Sequence, residues 1–263
     1  MKRWPYFILI FWLAAVMLSY AMDLQPDHIN LENVLALPRA DAWLGNDDLG
    51  RNIVARLLAG AGVSMFVALL VTSVSLTVGT LIGLVAGYFG GWIDRVLMQV
   101  TDVFLAFPGI LLAIAFAAVL GPGLDNLLLA LCMTSWVGYA RLTRAQALSL
   151  RHRQHVLAAE SLGAPVGRIM RKHILPLLAA PLVVEATYSI AGLVIAEASL
   201  SFLGLGIQAP HASWGSMLKD GVRYLLVAPH YVLAVGFSLM SLVLAINVLG
   251  DQLRDAWDIA RAE

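Results

Sequence analysis

The sequence has few charged residues. Only 13% of its 263 residues are Asp, Glu, Lys or Arg, 60% are hydrophobic, and the mean hydropathy is +0.82. A soluble domain has about a quarter of its residues charged, so this composition excludes an ordinary water-soluble globule and predicts that lipid covers much of the surface. The 17 cations balance the 17 anions. The excess of Lys and Arg typical of nucleic-acid binding is therefore lacking, and we expect no nucleic-acid partner.

Cysteine and catalytic motifs are also scarce. The single cysteine, Cys132, excludes an internal disulfide and a cysteine-based metal cluster. No spacing places a nucleophile beside a base, and no His-Glu-x-x-His motif is present. His28, His211 and His230 are scattered along the chain. We therefore expect no catalytic site and no metal site.

One stretch, GNDDLGRN at residues 45–52, has the glycine frame of a phosphate-binding loop. Arg51 and Asn52 stand where that loop requires Lys and Ser or Thr. The sequence therefore predicts no nucleotide site there.

Long apolar runs dominate what is present. Six stretches approach the roughly 20 residues that a helix needs to cross a bilayer, which predicts an all-α polytopic membrane protein with six transmembrane helices. The stretches are 4–22, 63–88, 101–120, 124–140, 178–205 and 228–249. The first also resembles a signal peptide, with Ser19-Tyr20-Ala21 as a loose cleavage site, but its apolar length favours a retained helix.

The placement of Lys and Arg predicts the orientation, because these residues concentrate in cytoplasmic loops. Twelve of the 17 fall inside if the N-terminus is cytoplasmic: Lys2, Arg3, Arg95, Arg254, Arg261 and the seven between residues 141 and 173. We therefore expect both termini in the cytoplasm. The predicted organisation is an N-terminal helix (1–22), a periplasmic loop (23–62) and a membrane core of five helices (63–263), with a cytoplasmic loop at about 141–176 between helices 4 and 5.

The periplasmic loop is expected to end in an interfacial helix over residues 52–61. Ile53, Val54, Leu57 and Leu58 share a broad apolar face there. Arg51 and Arg56 are expected to reach water or lipid headgroups.

The cytoplasmic loop contains AAESLGAPVGRIMRKHILP at residues 158–176. Its small residues leave a low-relief helix surface, Gly163 permits a turn, and Pro176 can start the next helix without losing a needed hydrogen bond. These features predict a rigid helix-turn-helix that docks another protein. The alternative is that its cations only anchor the loop to anionic lipid, at about 1 kcal/mol each.

The run LAAESLGAPVGRIMRKHILP resembles the EAA loop of ABC-importer permeases. Gly163 and Leu175-Pro176 match that pattern, whereas Leu157 replaces its glutamate and His173 replaces its isoleucine. Glu160 is therefore not assigned the role of the missing glutamate, and whether it compensates is left open. Four further stretches, at 43–61, 102–123, 134–151 and 197–218, resemble the second-subunit form of the dipeptide, oligopeptide and nickel permease family.

The resemblance implies a permease subunit of a binding-protein-dependent importer in the bacterial inner membrane. Its implied partners are membrane lipid, a homologous permease, two cytoplasmic ATPase subunits and a periplasmic or lipid-anchored solute-binding protein. ATP and Mg²⁺ would be held by the ATPases, with no cofactor in this chain. Peptides are the expected solute, while nickel chelates and other small solutes stay open. The residues expected to couple to the ATPases are Ala158, Ala159, Glu160, Gly163, Ala164, Arg168, His173, Leu175 and Pro176.

Further expectations concern the membrane region. Gly79, Gly83 and Gly87 predict close helix packing, either within this subunit or against the partner permease. Pro108 interrupts the third helix and is expected to bend it where a pathway opens. Glu197 is expected to cap or line a chain break near the outer surface. Pro210 and Trp214 are expected at an outer gate or at the docking face for a binding protein, and Glu185 has no assigned role.

A self-sufficient proton-coupled carrier or channel is the alternative function, because two acids lie within predicted spans. It predicts an internal structural repeat, which the sequence does not show, and it leaves the docking segment unexplained.

Overall fold

The computed structural model is a bundle of α-helices. It describes residues 3–22 and 24–262, with only the backbone described for Tyr20 and residues 258–262. Met1, Lys2, Asp23 and Glu263, which belong to the predicted segments, lie outside the described residues.

The helices follow the apolar runs of the sequence, but several extend well beyond them. In the part of the chain that the structure describes, the β-structure consists of two isolated β-bridges in the loop before α2. The helices are α1 (Trp4–Ala21), α2 (Ile53–Phe89), α3 (Gly91–Leu105), α4 (Gly109–Leu120), α5 (Leu124–Leu150), α6 (Gln154–Ser161), α7 (Val166–Ile169), α8 (Leu175–Phe202), α9 (Trp214–Val222) and α10 (Pro229–Ala262), with a π-turn at Met170–Ile174.

Three helical segments are long and apolar enough to cross a membrane: Ile53–Phe89, Val166–Phe202 and Pro229–Trp257. The bent pair α3 and α4 would make a fourth span. The other two predicted spans are present as α1, which is a shorter apolar helix, and α5, whose second half carries polar residues. The all-helical membrane class is therefore confirmed, and three or four spans are supported.

The bundle has two distinct ends. The loop of residues 24–52 leads into the start of α2, and we call this the loop end. The opposite end, which we call the hairpin end, carries α6 and α7. The start of α10 also lies at the loop end, where His230 is next to Gly45. Because α1 leads into the loop and α10 leads away from the loop end, the first residues of α1 and the last of α10 both point toward the hairpin end.

The tightest packing joins α2 to α5 through the three predicted glycines. A Cβ atom on Gly79 would meet the Trp136 carbonyl oxygen, and one on Gly83 would meet the Ala140 carbonyl oxygen. One on Gly87 would lie 2.7 Å from the Ala147 Cβ. The small residues let the two backbones approach closely. Of the two alternatives, the structure favours packing within the subunit. Their face lies against α5, and packing of these glycines against the partner permease stays a prediction.

The loop before α2 is held by a buried charge network. Asp47 is fully buried, and its Oδ1 accepts hydrogen bonds from the backbone N–H groups of Leu49 (3.0 Å) and Arg51 (2.8 Å). Its Oδ2 lies 2.7 Å from Nε of Arg51 and 3.3 Å from Nε of Arg56. In the loop that resembles a phosphate-binding loop, the Asp47 carboxylate therefore occupies the backbone N–H groups of Leu49 and Arg51.

The same network corrects the predicted interfacial helix at 52–61. Residues 53–61 form the first part of α2, which continues without a break to Phe89. Arg56 is 1% exposed, and its Nη1 donates to the Asp27 carboxylate (3.2 Å) and the Pro210 carbonyl oxygen (3.3 Å). Arg51 and Arg56 therefore do not reach water, because carboxylates and carbonyl oxygens of the chain surround them and pair with them.

We predict that Gly83→Ala destabilises the protein by about 1–3 kcal/mol, because the new methyl group would meet backbone atoms of α5 that have no room to move. The matched control is Gly236→Ala on α10, where a Cβ meets no atom within 4 Å. It should be neutral or gain about 0.5–1 kcal/mol. Thermal unfolding of the two purified variants in detergent checks the difference, and equal stability would contradict the packing described.

Candidate functional site

The segment between α5 and α8 forms a compact helical hairpin. Helix α6 ends at Ser161, and Gly163 adopts a left-handed conformation with φ of 76°. The Ala164 N–H donates to the Ala159 carbonyl oxygen (3.0 Å), and the Gly163 N–H donates to the Glu160 carbonyl oxygen (2.9 Å). These two bonds are those of a Schellman motif, which ends helices at a glycine. The helix-turn-helix that the sequence predicts is therefore present.

The inner face of the hairpin is buried against the bundle. Its buried residues are Val156, Ala159, Ile169 and Ile174, and they belong to one apolar cluster with Leu84 of α2, with Tyr139, Ala147 and Leu150 of α5, and with Leu178 and Leu182 of α8. Arg151 adds a polar link, because its Nη1 donates to the Tyr88 carbonyl oxygen (3.2 Å) in the last turn of α2. A displacement of the hairpin must therefore move the ends of α2, α5 and α8 with it.

The outer face combines exposed apolar and cationic side chains. Leu162 at the tip is 88% exposed, and Leu157 and Val166 are 44% and 39% exposed. Around them are the exposed cations Arg153, Arg168, Arg171 and Lys172. Apolar anchors ringed by charge are typical of a protein docking surface. Leu157, at the position where the EAA pattern has glutamate, presents an apolar side chain on this face.

The nine residues predicted to couple this segment to a partner divide between the two faces. Ala158, Glu160, Gly163, Arg168 and Pro176 are exposed; Ala164, His173 and Leu175 are half-buried; Ala159 is buried. The predicted low-relief surface of small residues is therefore corrected in part. Ala159 and Ala164 face inward, because both pack on the apolar cluster that the hairpin shares with α2, α5 and α8.

Pro176 lies where the hairpin passes into α8. It occupies the first turn of α8, which is the position that the sequence predicts for it, and the helical run from Val166 to Phe202 continues across it. The Leu175 N–H donates to the Met170 carbonyl oxygen, five residues back, which defines the π-turn. This wide turn stands just before a residue that has no N–H. The hairpin is thus continuous with α8.

A groove runs between α4, α5 and α8 in the apolar part of the bundle. Its volume is about 440 Å³, and its polar lining consists of hydroxyl groups from Thr134, Ser135, Ser189 and Ser199. Ser135 donates its proton to the Leu131 carbonyl oxygen (2.8 Å), and Ser199 donates to the Ile195 carbonyl oxygen (2.8 Å). Hydroxyls bonded in this way keep their lone pairs available. The groove therefore offers hydrogen-bond acceptors.

Sequence reasoning missed these hydroxyl residues. On α8, the groove residues Ser189, Gly192, Ala196 and Ser199 follow steps of three and four, which is the spacing of one helix face. This stripe of small and hydroxyl residues within an apolar run was the available signal.

The break predicted at Pro108 is confirmed. Helices α3 and α4 meet at an angle of 82°, and Pro108 stands immediately before α4. Gly109 and Ile110, the next two residues, line the groove. The bend therefore lies where α4 reaches the groove, and its role in a pathway stays a prediction.

Glu197 is fully buried and does not cap a helix end with backbone bonds. Its Oε2 accepts from the Ser64 hydroxyl of α2 (2.6 Å), and its Oε1 accepts from the Ser201 hydroxyl (2.8 Å). The Ser201 oxygen in turn accepts from the Ile207 N–H (3.2 Å), beyond the end of α8. Glu197 therefore connects α2 to the end of α8 through the hydroxyl groups of Ser64 and Ser201, and not through backbone hydrogen bonds. Its burial leaves no surface with which to line a pathway.

Trp214 does not lie at an outer gate or on a docking face, where the sequence predicts it. Trp214 is fully buried, its Nε1 donates to the Leu57 carbonyl oxygen (3.0 Å), and its ring packs edge-on against Trp12 at 5.0 Å between centroids. Trp214 is therefore a core residue that joins α9 to α1 and α2, and it is not on a docking face. The Pro210 ring is exposed, while its carbonyl oxygen accepts from Arg56.

The histidines at the loop end remain separate. His211 lies 3.7 Å from the Asp27 carboxylate, and His230 packs near Gly45. In the part of the chain that the structure describes, no group of three or more His, Cys, Asp and Glu side chains has the arrangement of a metal site.

Comparison with known proteins gives consistent relatives. The family model described as "Binding-protein-dependent transport system inner membrane component" matches residues 79–258. The chain is 44% identical over 229 residues to the dipeptide transport system permease protein DppC of Alkalihalophilus pseudofirmus, covering 87% of this chain and 75% of that one. It is 42% identical over 221 residues to the glutathione transport system permease protein GsiD of Pectobacterium atrosepticum, covering 84% and 73%.

A solved structure of the MetNI methionine ABC transporter, in an inward-facing conformation, is similar in fold. The TM-score is 0.57 with 21% identity, covering 76% of this chain and 95% of that one. At this identity the likeness supports the helical arrangement alone.

Two glycines of the hairpin provide a matched test of its turn. A Cβ atom on Gly163 or Gly167 meets no atom within 4 Å, but only Gly163 has a positive φ. Gly163→Ala should therefore cost about 1–2 kcal/mol, whereas Gly167→Ala should gain about 0.5–1 kcal/mol. Thermal unfolding and protease resistance of the hairpin measure both effects, and a similar response of the two variants would contradict the left-handed turn.

Proposed function

This chain belongs to the binding-protein-dependent transport system inner membrane component family and is a permease subunit of an ABC importer, and from that premise we propose that it carries short peptides. The two relatives named above are permeases for a dipeptide and for glutathione, which is itself a small peptide. The groove fits this class of solute, because its acceptor-lined wall complements the N–H groups of peptides.

We propose six membrane crossings, made by α1, α2, the bent pair α3 and α4, α5, α8 and α10, with the hairpin end in the cytoplasm. The charge distribution supports this orientation. Seven cations lie in the hairpin, beside it or in the last turns of α5: Arg141, Arg144, Arg151, Arg153, Arg168, Arg171 and Lys172. Cations in short loops favour the cytoplasmic side. Residues 24–52 then form the periplasmic loop, and residues 53–262 form the permease core, because residues 53–62 belong to α2.

The hairpin is the proposed docking element for ATPase subunits. The observation that carries this assignment is its two-sided construction: an apolar inner face locked to α2, α5 and α8, and an outer face with Leu157, Leu162 and Val166 exposed. A loop that docks no partner would not require a buried apolar inner face together with exposed apolar side chains on its outer face. ATP-driven movement of the partner would shift α5 and α8 with the hairpin, and these two helices form the groove.

The remaining partners follow from the same proposal. The subunit would pair with a homologous permease to close the groove into a pathway, and two ATPases would hold ATP and Mg²⁺ at sites outside this chain. A solute-binding protein would deliver peptide at the loop end. The proposed location is the bacterial inner membrane.

Leu162→Asp tests the docking role. Leu162 is 88% exposed at the hairpin tip and makes no contribution to the core, so the variant should fold and reach the membrane. The charge should weaken ATPase association by about 2 kcal/mol or more, roughly 30-fold in Kd, and should abolish ATP-dependent peptide uptake in proteoliposomes. Co-purification of the ATPases with the permease measures the association.

Leu37→Asp is the matched control, because Leu37 is 69% exposed on the loop at the opposite end. ATPase association should be unchanged in this variant. Unchanged association of Leu162→Asp would contradict the docking role. Solute movement by the purified chain alone, driven by a proton gradient, would instead support an autonomous carrier.

A further inference from the structure

A second cavity lies beside the groove, toward the hairpin end. Its volume is about 420 Å³, and it is formed by α5, α8 and α10. Gln146, Pro181, Glu185 and Tyr188 are among its lining residues, and Arg254 lines it from α10. This volume falls within the range of about 300–1,000 Å³ typical of small-molecule sites. Glu185, which the sequence left without a role, is its carboxylate.

The cavity and the groove lie on one continuous face of α5 and α8. On α8, Pro181, Glu185 and Tyr188 of the cavity are followed by Gly192, Ala196 and Ser199 of the groove, in steps of three and four. On α5, Leu131 and Ser135 of the groove are followed by Leu142 and Gln146 of the cavity, in steps of four and seven. Residues at these intervals share a helix face. The cavity therefore follows the groove along this face, in the direction of the hairpin end.

Glu185 stands at the junction of the two. A Cβ atom built on Gly138, which lies between Ser135 and Leu142 on α5, would be 3.6 Å from the Glu185 Oε1. The Glu185 carboxylate therefore lies close to the α5 backbone at Gly138, within one turn of the groove residue Ser135. Glu185 is half-buried, so part of its surface is available to a ligand.

Arg254 lines the same cavity as this carboxylate but forms no salt bridge with it. Within residues 3–22 and 24–262, as far as side chains are described, no Lys, Arg or His nitrogen lies within 4.0 Å of a Glu185 oxygen. A carboxylate at the edge of an apolar bundle without a partner is costly and favours a cationic ligand. The nearby groove offers further oxygen acceptors from Thr134, Ser135 and Ser199.

We propose that Glu185 binds the primary ammonium group of the solute as it passes from the groove to the cavity. An ammonium has three N–H donors and a positive charge, and this path supplies one carboxylate and several hydroxyl oxygens. Glu185 is then a specificity-determining residue that favours solutes with a free amine over the same solutes with the amine blocked. This inference rests on the proposed peptide-permease function.

The test uses a reporter cysteine in the assembled transporter. In a Cys132→Ser background, Gln146→Cys places a thiol in the cavity wall. The complex is embedded in nanodiscs of phosphatidylcholine and phosphatidylglycerol, so that no lipid carries a primary amine. The rate at which a methanethiosulfonate reagent labels this thiol is measured with the dipeptide alanylalanine and with its N-acetyl derivative.

The free dipeptide should slow labelling, and the acetylated one should not. Glu185→Gln should weaken this protection by about tenfold in dipeptide concentration, because a charge-assisted hydrogen bond is lost. Glu185→Asp, which keeps the charge, should retain most of it. Equal protection by both dipeptides, or unchanged protection in Glu185→Gln, would overturn the inference.

Two further arms separate the possible sources of failure. Protection that appears only after phosphatidylethanolamine is added would assign the carboxylate to a lipid headgroup and overturn the solute role. ATP-dependent uptake of the free dipeptide by the unaltered transporter is measured in parallel. Uptake without Glu185-dependent protection would overturn this inference alone, whereas no uptake of any peptide would overturn the proposed function as well.

Discussion

The close approach of α2 to α5 is the constraint on which the rest of the structure depends. Gly79, Gly83 and Gly87 bring the two backbones together over three successive turns, with carbonyl oxygens and small side chains of α5 filling the space. In lipid, such packing is the main force that holds helices together. Its last contact, between Gly87 and Ala147, lies next to Arg151, which bonds to the end of α2. The platform for the hairpin is therefore built by the same interface.

The hairpin and the groove are two parts of one mechanical unit. The inner face of the hairpin packs on α2, α5 and α8, and the groove is formed by α4, α5 and α8. Under the proposed function, a force applied to the hairpin would reach the groove through α5 and α8, each of which contacts both. The bend at Pro108 separates α4 from α3, which leaves α4 joined to the unit mainly through small residues such as Ala113 and Ala117.

Local patterns in the sequence predicted the features that depend on local chemistry. The apolar runs predicted the helices, Pro108 predicted the break, and Gly163 predicted the turn of the hairpin. The features that were missed depend on which residues meet across the fold. Arg56 is polar in sequence but buried because Asp47, Asp27 and Pro210 surround it. Trp214 resembles an interfacial residue, yet Trp12 and Leu57 enclose it. The spacing of residues along the chain does not indicate which residues meet in the folded bundle.

The central claim is that the tip of the hairpin is held by a separate ATPase on the cytoplasmic side. The most direct measurement is photo-crosslinking from a reactive amino acid placed at position 162 in the assembled transporter, with identification of the captured peptide by mass spectrometry. The account predicts that the captured peptide belongs to an ATPase subunit. Capture of a solute-binding protein, or labelling of position 162 by an impermeant reagent added outside intact cells, would contradict it.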